Sequence, residues 1–192
     1  MTAKVTYHHG DLRTALVQSA LALLEEEGAA ALSMRAVARH AGVTAAAPYR
    51  HYQDRDALMS AVAAVGYREL AQDLVAVSQT PSTADEIADV AIAYVRFALR
   101  RPALFRAMFS EQGDAGSPER ADAVAAISTY LRANIARVFP DADADALSDA
   151  VWALVHGLAF LFLDGKFDST DPGELERRVR AAMRAVVGLA GS

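Results

Sequence analysis

The stretch Arg39 to Tyr52, "RHAGVTAAAPYRHY", gathers groups that can hold an anion around a run of small residues. Arginine offers a planar fork of donors to phosphate, and histidine and tyrosine add single donors beside it. Between Ala30 and Arg55 the arginines 35, 39, 50 and 55 stand against Asp54 alone, a net +3, with His40 and His51 in the same window. The whole chain carries −5, so this window is a basic island on an acidic protein. That layout suits a small DNA-reading module joined to a body that does not touch DNA. On charge alone, a solvated helix face is the commoner source of such a run.

Other chemistries find no residues to carry them. The chain has no cysteine, which excludes disulfides, thiolate metal sites and a thiol nucleophile. His8 and His9 are adjacent and do not converge with acidic ligands at metal spacing, so no metal site and no cofactor are expected. No Ser-His-Asp set, phosphate-cradling glycine loop or paired catalytic carboxylate stands out, and an enzyme is not expected. His156 lies between Val155 and Gly157 on an apolar stretch, where a satisfied core histidine is the default and a ligand contact the alternative.

The residues around this window must be positioned by helices. Of 192 residues 53% are hydrophobic, much of that share is alanine, and strand-like alternation is scarce, so the expected fold is all-α. No run reaches the roughly 18 uninterrupted apolar residues of a membrane span, and "MTAKVTYHHGDLRTAL" has no apolar signal core. A cytoplasmic protein without membrane partners is expected. Asp11 opens a first helix that Gly28 stops, Ser33 caps a second with Leu32 and Val37 spaced as a hydrophobic staple, and Asp54 caps a long third. "SQTPST" interrupts the chain after it. Thr83 and Glu86 form a capping box for a helix to Arg101, Pro102 starts "PALFRAMF", and Pro118 starts a helix through Val138.

The last two helices carry seams. Leu147, Val151, Leu154, Leu158 and Leu161 are spaced 4, 3, 4, 3, and Leu175, Val179, Ala182, Val186 and Leu189 repeat the pattern. Apolar stripes usually face their own core. The first of these helices also holds Trp152, Val155, Phe160 and Phe162 off its seam, which favours partners on two sides and a homodimeric four-helix bundle.

"SMRAVARHAGVTAAAPYRHY" scans as helix, tight turn, helix. Ser33 caps the first, Gly42 tolerates positive φ at the turn, Thr44 caps the second, and Ala38 and Val43 fill the crossing. In that geometry Ala45 and Ala46 stand at the end that meets base edges in the major groove, small enough to touch thymine methyls. Pro48 forfeits the first backbone bond of the second helix and keeps it short.

"LSMRAVARHAGVTAAAPYRHYQDRDAL", together with "YHHGDLRTALVQSALALLEEEG", resembles the DNA-binding signature of TetR-type transcriptional repressors over about 60 N-terminal residues. Pro48 departs from the pattern, which often has an aliphatic plug there. "WALVHGLAFLFLDGKF" is similar to the ligand-binding domain of a subgroup with a Trp, His, Gly signature, matched by Trp152, His156 and Gly157. The resemblance implies a helix-turn-helix head over residues 1–56 and a helical ligand-binding and dimerisation body over 57–192. It implies phosphate contacts from Ser33, Thr44, Tyr49, His51 and Arg55, base contacts from Arg35, Ala45 and Ala46, and either role for Arg50. Tyr52 is left to the core of the head. It further implies an inverted-repeat operator in double-stranded DNA and a small apolar or aromatic effector that releases it. The neighbourhood for that effector is Tyr94, Phe97, Phe105, Met108, Phe109, Tyr130, Trp152, His156 and Phe160. The homodimer is expected through the last two helices, with Leu147, Val151, Leu154, Leu158, Leu161, Leu175, Val179 and Val186 at the interface. A helical protein-interaction module would explain the apolar helices without the arginines, and a carrier or enzyme would explain the aromatics without convergent polar groups.

Overall fold

A computed structural model describes residues 12–110 and 116–190; Asp11, His8 and His9 lie outside them. The described residues form eight α-helices and no strand, as the alanine-rich helical periodicity requires. The helices are α1 (Leu12–Glu27), α2 (Met34–His40), α3 (Arg55–Val77), α4 (Ala84–Arg100), α5 (Pro102–Ser110), α6 (Pro118–Val138), α7 (Ala144–Leu163) and α8 (Pro172–Ala190). Contacts divide the chain into two compact units, residues 1–66 with 103–120, and 67–102 with 121–192. This division runs through α3 after Gly66, because α5 joins the first half of that helix.

In the first unit α1 buries Leu16, Ala20, Leu23 and Leu24 and ends at Gly28, whose φ of 80° suits glycine. A 3-10 turn at Ala29–Ala31, which the periodicity did not indicate, leads into α2. There the Ser33 hydroxyl accepts the Ala36 N–H at 3.2 Å, and the staple pair Leu32 and Val37 is buried. Asp54 caps α3 by accepting the Ala57 N–H at 2.9 Å. Leu104, Phe105 and Met108 of α5 are wholly buried. Their helix comes so close at Gly66 that a Cβ there would lie 2.5 Å from Met108 Sδ and 3.1 Å from Leu104 Cδ1. Gly66→Val should therefore cost about 1 to 3 kcal/mol of stability by overpacking, read from chemical denaturation; an unchanged midpoint would show that α5 yields freely.

In the second unit α4 is the central element, packed by α7 and α8, which also pack on each other. Its buried face, Ile87, Val90, Ala91, Tyr94, Val95 and Ala98, repeats at helical spacing. The Thr83 hydroxyl accepts the Glu86 N–H at 3.2 Å, while the Glu86 carboxylate reaches one residue past the expected box to the Ser82 N–H at 2.6 Å. Ion pairs then fasten the outward side of α4: Arg96 to Glu176, Asp89 to Arg180, Arg100 to Asp73, and Arg101 to Glu69 at 2.8 Å.

The seams of the last two helices face inward. Leu147, Val151, Leu158, Leu175 and Val179 are 7, 3, 7, 4 and 0% exposed, so in the single chain they belong to its own core. Leu154 and Val186 are half-buried, and of the residues expected at the interface only Leu161 is exposed, at 39%. The reason is that α4 occupies the position the seams were expected to offer to a second copy. Among the described residues α7 is long and apolar enough by composition to cross a membrane, although no unbroken apolar run has that length. Its apolar side, Val151, Val155, Leu158, Ala159 and Phe162, is buried in the chain's own core.

Candidate nucleic-acid interface and effector cavity

The Ser33 cap starts α2, and α2 ends in a turn whose geometry rests on one residue. Gly42 has φ 68° and open space around it, so the backbone conformation and not a close approach demands glycine. The next N–H, of Val43, returns to the Ala38 carbonyl at 2.9 Å, which draws the following segment over buried Ala38.

That segment is not the capped α-helix expected. The Ala47 N–H closes on the Thr44 carbonyl at 2.9 Å, and Pro48 has no N–H with which to make the following i to i+4 bond. The chain continues as a 3-10 turn over Pro48–Arg50, whose N-cap position is Ala47 and not Thr44. So short a turn has no helix dipole to offer a phosphate. Pro48 itself is buried, so the slot of the missing aliphatic plug is filled by the pyrrolidine ring.

What this frame presents outward is Ser33, Arg35, Thr44, Ala45, Ala46, Tyr49, Arg50 and His51, all exposed, with Tyr49 at 55%. The Ser33 oxygen is occupied as an acceptor by the backbone, which leaves its O–H free to donate outward. Tyr52 turns the other way: it is buried, the Arg13 guanidinium lies 5.7 Å from its ring centre, and burial raises its hydroxyl pKa against the opposing pull of that cation. Arg13 also pairs with Glu119 at 2.8 Å.

Arg55 is built into the scaffold. Its Nε donates to the Leu32 carbonyl and its Nη2 to the Ala29 carbonyl, both at 3.0 Å, so the guanidinium fork braces the 3-10 turn and the start of α2. In the DNA-free head this guanidinium, for which the resemblance implies a phosphate contact, thus also has a structural role. Arg55→Ala should lower the stability of the DNA-free chain by about 1.5 to 3 kcal/mol in urea unfolding, whereas an arginine serving DNA alone would leave the midpoint in place.

In the second unit a narrow, apolar crevice of about 40 Å³ lies among α3, α4, α6 and α7. Tyr94, Tyr130 and Trp152 line it together with Leu74, Ile87, Val90, Ile127 and Val155, aliphatic positions that an aromatic search passes over. For Ile87 and Val90 the signal was the inward stripe of α4, Ile87, Val90, Ala91 and Tyr94. The remaining aromatics lie elsewhere. Phe97 is buried without lining the crevice, and Phe105, Met108 and Phe109 belong to the first unit, where the Phe105 and Phe109 rings pack at a tilt with centres 4.9 Å apart.

Behind the crevice the Tyr94 hydroxyl lies 3.1 Å from His156 Nδ1. Burial raises the Tyr94 pKa far above its ordinary value and lowers that of His156, so both groups stay neutral at ordinary pH. Phe160 packs edge-on against the His156 ring at 4.9 Å. Tyr130 donates to the Ser78 carbonyl at 2.5 Å and so closes the end of α3.

These features coincide with those of known proteins. Residues 16–62 match the family described as "Bacterial regulatory proteins, tetR family", and residues 87–186 match "Tetracyclin repressor-like, C-terminal domain". The HTH-type transcriptional regulator Rv1816 of Mycobacterium tuberculosis is 33% identical over 108 residues, a match spanning 53% of this chain and 46% of that relative. A protein of unknown function from Rhodococcus sp. RHA1 is 31% identical with a TM-score of 0.79, covering 97% of this chain and all of the other. The TetR-family regulator PfmR of Thermus thermophilus shares the fold at 18% identity, with a TM-score of 0.64 over 90% of this chain and 97% of its own. With one domain match covering more than half of the chain and the head matched independently, this chain belongs to the TetR family of bacterial transcriptional regulators.

Proposed function

We propose that the chain is a homodimeric transcriptional repressor that binds an inverted-repeat operator and leaves it when a small apolar or aromatic molecule enters the crevice of the second unit. The observation that carries this reading is the outward face of the head: Arg35, Tyr49, Arg50 and His51 around exposed Ala45 and Ala46, on a frame set by the Ser33 cap and Gly42. Phosphate donors at the rim and small residues at the centre are what a groove reader needs, since the rim fixes register and the centre lets the backbone approach base edges. The apolar inner surface of the crevice favours an effector recognised by shape and apolar contact.

Dimerisation through the last two helices has to use their outward faces. On α7 these include Ala150, Ala153 and Gly157, and on α8 Ala181 and Ala185, small residues that permit close helix approach, with exposed Leu161 beside them. A two-fold dimer of this kind calls for half-sites about one helical turn apart, roughly 34 to 36 Å, or a multiple of it. Selection of bound sequences from random duplex DNA at two salt concentrations tests the reading directly. Enrichment of an inverted repeat at both supports it; binding that vanishes at the higher salt without any enriched sequence would leave only non-specific attraction.

A further inference from the structure

The apolar crevice has a second chamber beside it. A surface groove of about 210 Å³ is lined by Ser128, Leu131, Arg132, Asp145, Ser148, Asp149 and Trp152. Leu131 and Trp152 line the crevice as well, so these two side chains are the wall between an oily interior and a polar mouth. Trp152 is half-buried, so part of its indole already meets solvent. The mouth has a definite charge. Arg132 is paired with Asp145 at 2.7 Å, both largely exposed, whereas Asp149 carries no ion pair among the described residues. The groove is therefore net negative, with an indole face next to the uncompensated carboxylate, and both features attract an organic cation. An anionic head would have to take Arg132 from Asp145 and would then lie beside two unpaired carboxylates.

We infer that Trp152 is a movable wall and that the joined chambers take an amphipathic organic cation, its apolar part in the crevice and its charged head at the mouth beside Asp149. The inference rests on the effector reading above and adds the class of molecule. Swinging the indole aside opens the crevice, which alone is too narrow for a ligand of ordinary size.

Trp152 is the only tryptophan of the chain, so its emission reports on this wall alone. The test titrates the full chain with decyltrimethylammonium, decanoate and decanol, one alkyl chain with three head charges, each below its micelle concentration, with calorimetry alongside. The cation should saturate at the lowest concentration and change Trp152 emission. Asp149→Asn should raise its half-saturation about three- to fivefold and leave decanol unaffected, a surface substitution that does not disturb folding. Decanoate binding as tightly as the cation, or an Asp149→Asn chain with the original preference, overturns the inference while the effector reading stands on decanol. Heat of binding without any change in emission overturns the moving wall. If none of the three binds, the inference falls, and whether the chain reads DNA is still decided separately by sequence selection.

Discussion

Gly157→Arg should give a folded monomer with little affinity for its operator, while Leu158→Asp, one residue along α7, should not fold stably at all. The two positions differ in what surrounds them. Gly157 is exposed, and a Cβ added there meets nothing within 4 Å, so the single chain accepts any side chain. Replacing a mid-helix glycine by alanine or arginine even favours the helix by about 0.5 to 1 kcal/mol. If α7 lies against its counterpart in a dimer, however, Gly157 is where two backbones approach, and a guanidinium there separates them. One head alone makes half the DNA contacts, so affinity for the full operator should fall on the order of a hundredfold or more. Leu158 is 7% exposed, so an aspartate there loses the packing of the leucine and places a charge in the core, a cost of about 3 kcal/mol or more. Sedimentation and thermal melting of both variants decide the matter. A Gly157→Arg chain that remains dimeric removes α7 from the interface, and a stable Leu158→Asp chain would contradict the packing described for the body.

Arg35→Ala should relax base preference at one position of each half-site and cost about 1 to 3 kcal/mol there, because a fork that reads guanine is lost and nothing replaces it. Tyr49→Phe should instead weaken binding to every sequence by a similar, smaller factor, about 1 kcal/mol, since one hydroxyl donor to phosphate is removed. Both side chains are exposed, so folding is not at stake and the affinity change reads the interface directly. The experiment compares each variant on the selected operator and on a scrambled duplex. An Arg35→Ala chain that loses affinity equally on both would make Arg35 a phosphate contact, and a Tyr49→Phe chain that changes sequence preference would place Tyr49 at a base.

Local rules settle local structure, and so the helices, the Ser33 and Thr83 caps and the turn at Gly42 were legible in the sequence: each depends on neighbours within four residues. The shortness of the segment after Thr44 was legible too, because a proline at position 48 cannot make the required bond; that it would become a 3-10 turn with Pro48 in the core was not. Helical spacing says that Leu147, Val151, Leu158, Leu175 and Val179 share inward stripes, but it cannot say whether the opposing surface belongs to the same chain or to a second copy. That is a long-range fact, supplied here by α4. The same limit applied to Arg55, whose type and position suited a phosphate but gave no sign of its bonds to the carbonyls of Ala29 and Leu32, more than twenty residues away in sequence. It applied again to the aromatics of the body: only the packing of α3, α4, α6 and α7 separates Tyr94, Tyr130 and Trp152 around a crevice from Phe105 and Met108, whose helix spends its apolar side against Gly66. A sequence specifies which side chains must leave water, and the tertiary structure alone decides which of them meet.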